Sequence, residues 1–219
     1  MVRNIKILGV ALCAMFALTA VMASAASAEK SYTCSSYPCT GTGVSAFGND
    51  TFATEAGTVK CKAHFKGTLA GTSSTLTVIA TYTECKFGEF NATVSMGSCD
   101  YLFETPKSTG VADEFTASVQ VKCAEASKPI IISSLTCEVH VGEQTPGGHV
   151  IITDETGAKD VKVRATVTEI TYNVTKDGIG CPFAGTGLKH GGTYTQHEEM
   201  TFDAVDANGN PTNQTIDVG

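Results

Sequence analysis

Apolar and polar residues alternate with period two along most of the chain, and after residue 28 no apolar stripe with the period of about 3.6 of a helix persists. Alternation of this kind puts one side of an extended segment in a core and the other in water. The clearest run is Thr75-Leu76-Thr77-Val78-Ile79-Ala80-Thr81-Tyr82-Thr83. Further runs cover residues 115–123, 129–132, 135–141 and 161–174, the last with Val161, Val163, Ala165 and Val167 on one side. Gly147-Gly148 leads into a short strand at 149–153, which Asp154-Glu155-Thr156-Gly157 turns around. Residues 200–205 and 212–218 flank Ala207-Asn208-Gly209-Asn210, and Asn-Gly between alternating runs predicts a hairpin because both residues tolerate positive φ. Residues 29–43 and 177–192 read as irregular. The pattern predicts an all-β chain with little helix, built as an antiparallel β-sandwich or partly closed barrel.

Composition sharpens this picture. Thr occurs 31 times and supplies much of the polar side of the strands, where a β-branched side chain fits the pleat. The first residues carry Arg3 and Lys6, then an apolar run over 7–22 that is shorter than the ~20 residues of a membrane span. Small residues follow, and Ala26-Ser27-Ala28 places signal-peptidase cleavage between Ala28 and Glu29. The expected organisation is a signal peptide at 1–28, an irregular segment at 29–43 and a β domain at 44–219, with no membrane span after removal of the signal. A turn-rich boundary at 107–110 leaves open two halves, 44–107 and 111–219. The mature chain would have 191 residues with 13 basic and 22 acidic side chains. A net charge of −9 repels a phosphate backbone and argues against nucleic-acid binding.

Eight cysteines remain after the signal: Cys34, Cys39, Cys61, Cys85, Cys99, Cys123, Cys137 and Cys181. An even number in an exported chain reads as a disulfide framework, and the paired Cys-x-x-Cys spacing of a zinc site does not occur. From Cys61 the intervals are 24, 14, 24 and 14, so a shift of 38 residues superimposes part of the series on itself. If each unit is a long hairpin with cysteines at its base, Cys61 pairs with Cys85 and Cys99 with Cys123, leaving Cys137 for Cys181 and Cys34 for Cys39. Other pairings stay open. Cys99 and Cys123 share phase with the core-facing residues of their strands, but Cys85 is out of phase with Leu76, Val78, Ala80 and Tyr82 and needs a bulge or a chain reversal to face Cys61.

Candidate chemistry is sparse. His64, His140, His149, His190 and His197 fall in no metalloprotease motif, since His197-Glu198-Glu199-Met200 lacks the second His. His190, His197, Glu198 and Glu199 are the residues that could gather round a metal, though no metal or other cofactor is expected. Gly180 to Gly187 lacks the Lys and Ser or Thr of a phosphate loop, and no Gly-x-Ser-x-Gly elbow occurs. Asp203, Asp206, Asn208 and Asn210 resemble a weak calcium loop in composition only, and hairpin chemistry accounts for them without an ion. The absence of Trp argues against an aromatic sugar platform.

Ala26-Ser27-Ala28, Ala56-Gly57-Thr58-Val59-Lys60-Cys61, Gly97-Ser98-Cys99-Asp100-Tyr101, Leu135-Thr136-Cys137-Glu138-Val139, Gly148-His149-Val150 and Gly192-Thr193-Tyr194 together resemble a group of exported, Thr-rich and Cys-rich all-β proteins of soil actinobacteria. The resemblance covers most of the mature chain and implies a framework, with no known activity to carry over. Residues 214–219 depart from it, since a strand ending in an aromatic residue would be expected there. With no catalytic constellation in view, the expected function is a non-enzymatic exported β-sheet module with a structural, adhesive or protein-binding role. Its place would be outside the cell or at the envelope, and its partner class a cell-wall or extracellular protein. The alternatives are a secreted hydrolase with a carboxylate or His site, and a secreted inhibitor or small-ligand carrier.

Overall fold

The computed structural model describes residues 29–219 apart from 56, 156, 157, 180, 182–184 and 207, so the expected signal segment at 1–28, with the Ala28 side of its expected cleavage point, lies outside the described residues. The described residues form strands and connecting turns, with no helix. In chain order the strands are β1 (Tyr32–Cys34), β2 (Cys39–Val44), β3 (Asp50–Thr54), β4 (Gly57–Leu69), β5 (Leu76–Phe87), β6 (Phe90–Asn91), β7 (Thr93–Ser95), β8 (Cys99–Phe103) and β9 (Lys107–Ser108). There follow β10 (Glu114–Ala117), β11 (Val119–Cys123), β12 (Ile130–Ser134), β13 (Cys137–Val141), β14 (Gly147–Thr153), β15 (Val161–Asp177), β16 (Gly187–Gln196), β17 (Met200–Val205) and β18 (Ile216–Val218).

The ladders return on themselves. Toward one end, β2 pairs β4, β4 pairs β5, β5 pairs β8, β8 pairs β11, β10 pairs β14, β14 pairs β15, β15 pairs β17, and β17 pairs β2. Toward the other, β3 pairs β4, β5 pairs β6, β7 pairs β12, β12 pairs β13, β13 pairs β15, β15 pairs β16, and β16 pairs β3. Short strands that follow one another therefore act as segments of longer staves: 39–54, 57–69, 76–87, 90–108, 114–134, 137–153, 161–177 and 187–205. Each stave is antiparallel to the next and the last pairs with the first, which makes an eight-stave up-and-down barrel. This selects the barrel from the two architectures that the alternation allows.

Inside and outside follow from the same alternation. On β4 the inward residues Val59, Cys61, Ala63, Phe65 and Leu69 are buried, while Lys60, His64, Lys66 and Thr68 face water. An apolar interior with a Thr- and Lys-bearing outer wall is the reverse of a porin, whose apolar band faces lipid. Two staves change phase partway. In β5 Val78 and Ala80 point inward, and then Cys85 and Phe87 do, because a register shift against β4 coincides with Glu84 at φ 53°. In β15 the inward series Val161, Val163, Ala165, Val167 gives way to Ile170, Tyr172, Val174 across Glu169 at φ 59°. A bulge inserts one residue and so flips the facing of all that follow, which keeps both halves of a long stave apolar inside.

The chain ends cover one mouth. β1 and β18 pair as a separate two-stranded sheet, with Tyr32, Ile216 and Val218 buried. Tyr32 exchanges backbone bonds with Ser73 and donates its hydroxyl to Glu104 O at 3.0 Å, while Val218 N donates to Asp154 Oδ2 at 2.6 Å. Ile216 Cδ1 lies where a Cβ on Gly41 would be 2.7 Å away, so the lid seats against a bare backbone.

Three sequence expectations change. Residues 29–43 carry β1 and the start of β2, and 187–192 begins β16, so neither segment is wholly irregular. The turn at Asn208-Gly209 forms, with Gly209 at φ 84° and Val205 bridged to Pro211, but the strand after it leaves to pair with β1. Both edges of β17 are already taken, by β15 and β2, and closing the ring outcompetes a local hairpin. Ladders also join 44–107 to 111–219, through β9 with β10 and β8 with β11.

Candidate functional site

The inward faces of the staves line a cavity of about 100 Å³. Its wall is apolar over most of its extent, with Phe52, Phe65, Val121, Ile132, Val150 and Val163 among the lining residues. The polar lining side chains are Asp50, Tyr82, Tyr101, Tyr194 and Gln196, and Asp50 is the one charged residue among the described lining residues.

The polar group forms where two neighbouring staves break at the same height. The first stave is interrupted at 45–49 and the last at 197–199. Asn49 and Glu198 clasp the gap: Asn49 Nδ2 donates to Glu198 O, Glu198 N donates to Asn49 Oδ1, and His197 N donates to Asn49 O at 3.0 Å. Below the clasp, Asp50 and Gln196 are cross-strand partners, and Phe52 faces Tyr194. Asp50 is 2% exposed, and its two oxygens accept the hydroxyls of Ser45 and Tyr194. Ser45 in turn accepts the backbone N–H of Ala63 at 2.9 Å, which fixes its own position. The hydroxyls of Tyr82 and Tyr101 bond to each other at 2.9 Å.

Burial pushes the Asp50 carboxyl above its ordinary range, opposed by the Ser45 and Tyr194 hydroxyls and by the charge His197 can carry. Burial also raises the Tyr101 phenol to about 12 and drives Tyr82 and Tyr194 well above the usual phenol range. These phenols are neutral donors and acceptors at any physiological pH. Gln196 is 2% exposed, and its Nε2 is the one buried side-chain nitrogen or oxygen among the described residues that lacks a hydrogen-bond partner.

The residues singled out in the sequence lie elsewhere. His190 is exposed and bonds Thr171 Oγ1 at 3.2 Å, and His197 is exposed with Nε2 3.1 Å from Thr51 Oγ1. Glu198 and Glu199 are exposed beside the clasp, and the described residues contain no group of three or more His, Cys, Asp or Glu able to hold a metal ion. Asp206 Oδ1 accepts the N–H groups of Asn208 and Asn210 at 2.8 and 2.9 Å, a turn-capping role, and Asp203 sits on β17 opposite Thr42. Asp50 and Gln196 had no sequence signal beyond an inward phase shared with Phe52 and with Tyr194.

The cysteines pair as Cys34–Cys39, Cys61–Cys85, Cys99–Cys123 and Cys137–Cys181. The second and third link adjacent staves from inside, and the bulge at Glu84 is what turns Cys85 toward Cys61. The first ties the lid to the barrel wall, and the fourth fastens the loop after β15. Four such bridges suit an oxidising, extracellular type of setting. Comparison with protein-family models, with curated proteins and with solved structures finds no match.

Proposed function

We propose that this chain is an exported, non-enzymatic β-barrel module that carries a small, mostly apolar ligand in its interior. The observation that carries the reading is the interior cavity, apolar in its wall and polar at one edge. Protein interiors pack with few voids larger than a water molecule. An empty space of about 100 Å³ costs about 2 kcal/mol at the usual price per unit volume, a penalty that an occupant removes. A cavity of ~150 Å³ holds the six carbons of benzene, so this one, about two thirds of that volume, suits a compound of roughly four non-hydrogen atoms.

A hydrolase would be built on Asp50, a raised carboxyl in a cavity. Both of its oxygens already accept hydroxyl hydrogens, and the described lining residues include no second carboxylate and no His to share the work. This favours binding over catalysis. Export is proposed on the signal-like segment at 1–28 and the four disulfides, and mass analysis of protein recovered from culture supernatant should find Glu29 at its start.

NMR titration of the oxidised protein with isobutane and acetone tests the carrier reading. Saturable binding is expected for at least one, and Ala165→Leu, which grows a side chain into the cavity, should abolish it while keeping or raising the melting temperature. No saturable binding of either compound would overturn the reading.

A protein-binding role has its own support at the mouth opposite the lid. Phe90 at the start of β6 and Leu135 and Ile179 on turns of that end are 50%, 76% and 101% exposed. Apolar residues held out in water at one end mark an interaction site. Cell-wall and supernatant fractions passed over immobilised protein should show retention that Leu135→Ser with Ile179→Ser removes, and equal retention by both forms would count against this role.

A further inference from the structure

We infer that the ligand bears one neutral hydrogen-bond acceptor, a carbonyl oxygen, and that Gln196 is the residue that recognises it. The inference rests on the carrier reading above and adds the chemical class of what is carried.

Gln196 Nε2 is buried, unpartnered and part of a residue that lines the cavity. An amide donor removed from water without a new acceptor is disfavoured, and native proteins leave few of them. Asp50, the cross-strand partner of Gln196, makes no hydrogen bond to Nε2; its oxygens accept the hydroxyls of Ser45 and Tyr194. The acceptor that completes Gln196 therefore belongs to the cavity's occupant.

Charge narrows the occupant further. An anion would stand beside Asp50 with no cationic residue in the described lining to offset it. An ammonium ion would be drawn to Asp50 but has no lone pair to offer, so Nε2 would stay unpaired. A neutral carbonyl compound meets both conditions. Its oxygen takes the Gln196 N–H, and its hydrocarbon body lies against Phe52, Phe65 and Val150.

The test compares acetone, isobutane and isopropylammonium on the oxidised full chain and on Gln196→Met, which keeps the side-chain length and removes the donor. The ratio of acetone to isobutane affinity should be about tenfold higher in the wild type than in Gln196→Met, the scale of one buried hydrogen bond. Infrared spectra provide a second readout independent of the variant: the bound carbonyl stretch should move to lower frequency than in hydrocarbon solvent. The same ratio in both proteins, with no carbonyl shift, would overturn the role of Gln196 and leave the carrier reading standing. Preference for isopropylammonium would overturn it in favour of Asp50 as the recognising group. Failure of all three to bind would remove the carrier reading itself.

Discussion

Asp50 shows how a single residue acquires its properties from the barrel. In the strand it is one inward position of an alternating series, and its burial raises its carboxyl despite two hydroxyl donors. A group whose pKa is raised by folding binds its proton more tightly in the native state, so its stability contribution improves as pH falls through the native value toward the unfolded one. Between about pH 7 and the ordinary carboxylate range near pH 4, the wild type should gain stability from this group. Asp50→Asn cannot titrate and should lack that gain, so the melting-temperature difference between variant and wild type should shift in favour of the wild type on acidification. A constant difference across that range would show that Asp50 does not titrate with a raised value. The sequence conceals this residue for a physical reason: Asn49-Asp50-Thr51 has the composition of a turn, and only closure of the first stave against the last turns Asp50 inward. Tyr82 and Tyr101, by contrast, fall in clear alternating runs, so their inward placement was legible although their mutual hydrogen bond was not.

At the level of strands and turns, alternation revealed the elements and the bulges decided their use. Cys85 reads as out of phase with its strand, and the residue pattern leaves a bulge or a chain reversal to correct it. Glu84 at φ 53° is that bulge. Its left-handed conformation disfavours a side chain, so Glu84→Gly should raise stability by about 1 kcal/mol in chemical denaturation, its ion pair with Lys62 being long and exposed. Gly97 presents the opposite case. At φ 60° it sits where a Cβ would be 2.3 Å from Pro129 O, so Gly97→Ala should cost more than about 2 kcal/mol, and a change under half that would show that the turn relaxes freely. The second bulge, at Glu169, was not foreseen, because 161–167 and 170–174 are each regular and the break falls between them. The Asn-Gly turn was legible, but the fate of the strand after it was not, since partner choice there is set by ring closure and not by local chemistry.

For the whole molecule, closure has two consequences: it pairs most strands on both sides, and it creates an inside. The lid sets β1 against β18 over one mouth, so the barrel's interior depends on contacts between residues far apart in sequence. Ile216→Ala, which strips the lid residue seated against Gly41, should lower stability by about 2 to 4 kcal/mol and raise hydrogen exchange at Tyr32 and Val218 first. Exchange that rises evenly over all staves would mean that the lid and barrel open together. The four disulfides brace this arrangement at the lid, at two stave pairs and at the loop after β15, which explains why a chain with only 7% aromatic residues keeps its cysteines distributed along its length.

The central claim is that the barrel encloses a ligand-sized apolar space, and xenon is its most direct probe. Methyl-resolved NMR of the oxidised protein under increasing xenon pressure should show saturable shifts for Ile132, Val150 and Val163, which line the cavity, and none beyond a linear pressure effect for the outward Ile79 and Leu188. Linear, unsaturated shifts at all five residues would contradict the account.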